Sequence, residues 1–245
     1  MKILLFLAIF FYSLSALSKT IIVAGDEWYP MNGDPKADNP GFMIEIAELA
    51  LKDKGLTLEY RIMPWERAIK SARANSIHCI VGAGDLDAPG FVFGKEPYGL
   101  FQAAFYKNRD DDFQYIDLSS LSNQRVGTIL GYYYDEEVDA WLDRNSVPLA
   151  GNDALEKNIR KLLAKRIDLI IESTVVMGSK LKEMNLTDSI VPAGLLGEAY
   201  LYIACGPNNP DSKDIVQALD DGIKLLRKNG ELDEILSRYG VQDWK

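Results

Sequence analysis

Histidine is almost absent: His78 stands alone in 245 residues. That excludes most imidazole-based metal centres and the Ser–His or Cys–His pairs of nucleophilic catalysis. Cysteine is scarce as well. Cys79 and Cys205 are too few for a disulfide scaffold or a four-thiolate zinc site. Basic residues are outnumbered, 27 Lys+Arg against 36 Asp+Glu, and the formal charge of −9 has the wrong sign for a nucleic-acid surface. Beyond the N-terminus no apolar run approaches the roughly 20 residues of a membrane span. Any catalysis would rest on carboxylates, Lys, Tyr or Ser, and the composition implies neither a cofactor nor a metal.

What is present is an ordinary globular mix, 47% apolar and 26% charged. It follows a leader: Lys2, an apolar run from Ile3 to Leu14, then Ser15-Ala16-Leu17-Ser18. A basic start, a short apolar stretch and a small-x-small site form the pattern of a cleaved export signal over residues 1–18. The run is too short to span a bilayer. The mature chain is expected to begin at Lys19 as a soluble monomer in an oxidising compartment, in a bacterium the periplasm.

The mature chain reads as two α/β units. Thr20 to Ala24 (TIIVA) is a buried strand, followed by a Gly/Pro/Asp/Asn-rich loop. Phe42 to Lys54 predicts a helix closed by Gly55, Leu56 to Ile62 a strand, Trp65 to Arg73 a helix, and Ile77 to Val81 a strand. Strand–helix–strand–helix–strand implies a parallel sheet. The grammar restarts with a strand over Arg125 to Leu130, a helix over Asp135 to Leu142, a helix over Leu155 to Ala164 and a strand over Ile167 to Ile171. Two short strands follow, Asp188 to Pro192 and Tyr200 to Cys205. Ser212 to Tyr239 is helical with a break near Asn229-Gly230. If these last helices return to the first unit, residues 103–205 form a second lobe inserted in a first made of 19–102 plus 206–245. Two strands near Ala103 and Ile203 would then cross between lobes and make a hinge.

Six segments carry a family resemblance in the expected order: IIVAGDEWYP, GFMIEIAELALKDKGLTLEY, PWERAIKSARANSIHCIVGAGD, SLSNQRVGTILGYYY, LLAKRIDLIIES and GIKLLRKNGELDEILSRYG. The chain resembles the bacterial extracellular solute-binding proteins of the polar-amino-acid type (family 3), which serve ABC importers. The resemblance implies the two-lobe periplasmic-binding fold, a small polar ligand held between the lobes, and a permease partner in the inner membrane. An exported enzyme of the prephenate or cyclohexadienyl dehydratase type and a soluble ligand sensor share that fold and remain alternatives.

Parallel α/β sheets bind ligands beyond the carboxyl ends of their strands. The residues there are Asp26, Trp28 and Tyr29 after the first strand, and Gly82, Ala83, Asp85 and Asp87 after the third. Gly131, Tyr132 and Tyr133 follow VGTIL, and Glu172 follows IDLII. Trp28, Tyr29, Trp65 and Tyr132 suit an apolar or cationic body. Asp26, Asp85 and Glu172 suit an ammonium. Trp65 fits helix packing equally well, and Asp87 reads first as a turn residue. By resemblance, the Glu172 position receives a ligand's α-amino group. The arginine that clamps the α-carboxylate in such proteins is missing from GAGDLDAPGFVFGKEP, and Arg67 is the nearest substitute. His78 and Cys79 lie in an apolar run where packing is the expected role. Cys79 and Cys205 are free to bridge only if the fold brings them together.

Overall fold

The computed structural model describes residues 18–245, and all but the last residue of the expected leader lie outside them. The chain opens with β1 (Lys19–Gly25), whose run Thr20-Ile21-Ile22-Val23 favours the extended state. Next come α1 (Phe42–Lys52), β2 (Leu56–Ile62), α2 (Trp65–Arg73) and β3 (Cys79–Ala83). β1 pairs in parallel with both β2 and β3, as strands joined by crossover helices must.

The chain then runs through β4 (Gly99–Asn108), a 3-10 turn (Leu118–Leu121), β5 (Val126–Gly127), α3 (Glu136–Asn145), α4 (Ala154–Leu163) and β6 (Leu169–Ser173). The rest is α5 (Thr174–Glu183), β7 (Ile190–Cys205), α6 (Ser212–Asn229) and α7 (Glu231–Arg238). The strand order is β2-β1-β3-β7-β4-β6-β5. Among the described residues no helix is long and apolar enough to cross a membrane.

Three expectations need correction. The strand expected over Arg125 to Leu130 is only two residues long, because the chain beyond Gly127 leaves the sheet and Ile129 makes only an isolated bridge, to Leu149 outside the sheet. The two short strands expected near Asp188 and Tyr200 are one 16-residue strand, β7. Gly194 and Gly197 interrupt the apolar pattern, and the ladder shifts register beside them, but β4 pairs with β7 on both sides of each shift and keeps it one strand. Finally, Cys79 and Cys205 do more than pack. They face each other across β3 and β7 and form a disulfide.

β7 joins the two halves. Its last residues pair with β3, and its earlier ones pair with β4. β6 joins β4 only from Ala103 onward. Gly99–Gln102 and Glu198–Leu201 therefore form a two-stranded neck without a third strand on either side. The C-terminal helices return to the first half, where α6 packs on α1. A Cβ added at Gly222 would lie 2.3 Å from the Ala50 Cβ, so this contact requires glycine. The tail is held there too, with Trp244 donating from Nε1 to the Pro97 carbonyl at 3.2 Å.

Candidate functional site

β1 ends at Gly25, and Asp26 follows it into a buried position. A tight turn over Trp28–Asn32 then folds the chain back, with the Trp28 N–H donating to the Asn32 carbonyl at 2.8 Å. The turn tucks the Trp28 indole against the end of β3. There Gly82 has φ +85°, and a Cβ would sit 3.4 Å from the indole ring. Beyond β3, Asp87 Oδ2 accepts from the Gly84 N–H at 2.6 Å and shapes the loop.

The opposite wall is the run Tyr132 to Tyr134, which follows β5 and the turn at Gly131. Four hydrogen bonds tie the two walls together. The Tyr132 hydroxyl donates to Asp26 Oδ2 at 2.5 Å, and the Tyr133 N–H to Asp87 Oδ1 at 3.2 Å. Trp65 Nε1 donates to the Gly131 carbonyl at 3.0 Å, and Trp28 Nε1 to Glu172 Oε1 at 2.9 Å. Between the walls lies a cavity of about 90 Å³. The neck supplies its floor through Phe101, Ala199 and Leu201.

The chemistry of the wall is one-sided. Asp26, Asp85 and Asp87 line the cavity, together with Trp28, Trp65, Phe101 and the three tyrosines from Tyr132 to Tyr134. No Lys, Arg or His is among the lining residues. The Trp28 and Tyr132 rings meet edge to face at 6.0 Å, as do those of Trp65 and Tyr132 at 6.5 Å. Burial pushes the Asp26 carboxyl up to about 6 despite the Tyr132 hydroxyl, which favours the ionised form. Burial likewise pushes Asp87 up to about 7, against the pull of its two backbone donors. Glu172 is fully enclosed and also stands at about 7, chiefly through burial.

Seven of the residues anticipated from the sequence line this cavity: Asp26, Trp28, Trp65, Gly82, Asp85, Tyr132 and Tyr133. The other five lie elsewhere. Tyr29 is turned outward by the Trp28–Asn32 turn and packs on Tyr239, ring centroids 6.0 Å apart. Arg67 follows buried Trp65 by two positions on α2, which places it on the helix's far, exposed side. Ala83 is enclosed in the small apolar cluster under Trp65. Gly131 offers its carbonyl to Trp65 and does not line the cavity. Glu172 lies behind the Trp28 indole. Its Oε1 takes the indole N–H and the Ser173 N–H, and its Oε2 has no partner.

Further residues line the cavity. Asp87, which stands at the same strand end and reads first as a turn residue, has that turn role and also faces the cavity. Tyr134 completes the tyrosine run on the opposite wall. Phe101 and Leu201 belong to the neck, and alternation along LFQAAFY would have separated Phe101 from its neighbours once the crossing was known. Among the described residues no three His, Cys, Asp or Glu side chains are grouped to hold a metal ion.

The chain matches no protein-family model and no curated protein. Solved structures do match. A histidine kinase sensor domain with similarity to periplasmic binding proteins superposes with TM-score 0.77 at 18% identity, over 91% of this chain and 96% of that one. The fold is that of the periplasmic binding proteins. An ancestral arginine-binding protein bound to arginine shares this periplasmic-binding-protein fold, with TM-score 0.75, 19% identity and coverage of 90% and 97%. So does ArtJ, the arginine-, lysine-, histidine-binding protein of the thermophilic bacterium Geobacillus stearothermophilus, with TM-score 0.75, 14% identity and coverage of 93% and 97%.

Proposed function

We propose that this protein is an exported, non-enzymatic binding protein that captures a small cationic amine between two lobes and delivers it to an ABC importer. The observation that carries the reading is the wall of the cavity, with three carboxylates, a surround of aromatic rings and no basic side chain among its lining residues. A cation over an aromatic face gains about 0.5–2 kcal/mol, and a carboxylate within a few ångströms adds to that in a partly dry site. A carboxylate-only ligand would face like charge along the wall of Asp26, Asp85 and Asp87, with no basic side chain among the lining residues to offset it.

The ligand class is an amino acid or related compound that enters with its positive end first. Arg67, on the outer side of α2, is too far round the helix to clamp a carboxylate in this cavity, so a basic amino acid would be held by its side chain. Structural neighbours that bind arginine support this class. We assign the lobes as 19–102 plus 206–245 and 103–205, with the neck between them as hinge. Export through cleavage after Ser18 accords with β1 beginning at Lys19.

Calorimetry over a panel of arginine, lysine, diamines, quaternary amines, dicarboxylates and neutral sugars tests the reading. Cationic members should bind and dicarboxylates should not. The same mixtures, assayed for product, should show no turnover. Tight binding of a dicarboxylate with the amines silent would refute the proposed charge of the ligand.

A further inference from the structure

Successive side chains on the neck strands point to opposite faces. Phe101, Ala199 and Leu201 face the cleft cavity. Leu100, Gln102 and Glu198 have the opposite parity, and they line a second cavity of about 290 Å³. Gln102 Nε2 donates to Glu198 Oε1 at 2.9 Å across the neck on that rear face.

The rear cavity has one wall from each lobe. Phe42, at the start of α1, and Trp244, in the tail, stand on the first lobe with ring centroids 6.0 Å apart. Thr174 and Val175 open α5 on the second lobe and face them. The first wall is braced, because Arg227 Nε holds Asp243 Oδ2 at 2.8 Å beside the Trp244 bond to Pro97. Val175, by contrast, is partly exposed and has apolar surface to lose to a partner.

A rigid rotation about the neck that parts the front walls must bring the rear walls together. The geometry points to the rear cavity as a counterweight to the cleft: when the cleft opens, the Val175 end of α5 seats against Val241 and Trp244, the partly exposed residues of the first wall, and this apolar contact sets the balance between open and closed forms. At the front, four hydrogen bonds favour closure. At the rear, apolar area withdrawn from water favours opening. A ligand then needs only to tip this balance, because it binds the two forms unequally. The inference rests on the hinge of the preceding reading and is independent of the ligand's identity.

The test reads the distance between lobes without any ligand. Lys36→Cys on the first lobe and Val147→Cys on the second place labels at exposed positions, and the two native cysteines are already joined. Single-molecule energy transfer then reports the open and closed populations. Val175→Trp fills the rear space while the cleft is closed, and Val175→Asp puts a charge where the apolar contact would form. Each should lower the ratio of open to closed by about fivefold or more, and Val175→Ala, the mildest change, by about twofold. Melting curves confirm that each variant is folded. Two exchanging distances in the parent protein, unmoved by all three substitutions, would overturn the counterweight and leave the hinge standing. One fixed distance in every protein would overturn both.

Discussion

The indole Nε1 of Trp28 donates to Glu172 Oε1 at 2.9 Å, so a residue of the first loop plugs the pocket that holds the second lobe's most deeply buried acid. Glu172 thus acts on the cavity through the position of Trp28. Glu172→Gln retains an acceptor for the indole and should stay within about 1 kcal/mol of the parent in stability at pH 6. Glu172→Ala leaves the indole N–H without its partner and should cost about 1–3 kcal/mol. Denaturant unfolding of the two variants side by side checks the contrast.

The same carboxyl gives stability a pH dependence of definite sign. Its native value of about 7 lies above the ordinary 4.5. Between those values the native state keeps a proton that the unfolded chain has lost. Its contribution to stability is therefore fullest below pH 4.5 and is lost as the pH rises through 7. Relative to Glu172→Gln, the parent should lose stability steadily from pH 4.5 to 7.5. Parallel curves for the two proteins would contradict the assignment.

Ligand affinity should run the other way. A cation draws on the ionised forms of Asp26 and Asp87, which burial raises to about 6 and about 7. Affinity for the cationic members of the panel should climb between pH 5 and 8 and then level off, with protons released on binding. Calorimetry in buffers of different ionisation enthalpy counts those protons.

Asp26 and Arg67 should separate cleanly in the same assay. Asp26→Asn removes one charge of a close pair with the ligand and should weaken binding at pH 8 by about 2–5 kcal/mol. Arg67→Ala, outside the cavity, should leave affinity unchanged within about twofold. A selective loss of carboxylate-bearing ligands in Arg67→Ala would restore that residue to the site.

The disulfide should support the fold without touching the ligand. It closes a loop of 126 residues and sits at the start of β3, while Val81 and Gly82, farther along the strand, reach the cavity. The paired substitutions Cys79→Ala and Cys205→Ala should lower unfolding free energy by about 2–5 kcal/mol. Calorimetric affinity at 20 °C should not change.

Much of the first lobe could be read from pattern. The run TIIVA, the 3.6-residue spacing after Phe42 and the stretch between Trp65 and Arg73 each state one element locally, and β2 and α2 begin and end where expected. A cavity residue was readable where a strand's carboxyl end settles it, as at Asp26 directly after β1. It was not readable where orientation depends on a turn or a helix phase. Tyr29 sits one residue from Trp28 and faces away, and Arg67 sits two from Trp65 on the opposite side. Glu172, expected just after a strand over Ile167 to Ile171, lies inside β6, and no spacing could reveal that the indole of a residue 144 positions earlier stands in front of it. Phe101 and Leu201 meet only because distant strands pair in the neck.

β3 finds its outer neighbour only in the final stretch of β7, and α1 finds its packing partner in α6. The first part of the chain to be synthesised is thus the last to be completed. Until the end of β7 emerges, β3 keeps an unpaired edge, and until α6 follows, α1 keeps an uncovered apolar face. A chain with this topology stays unfinished for nearly the whole time of its synthesis.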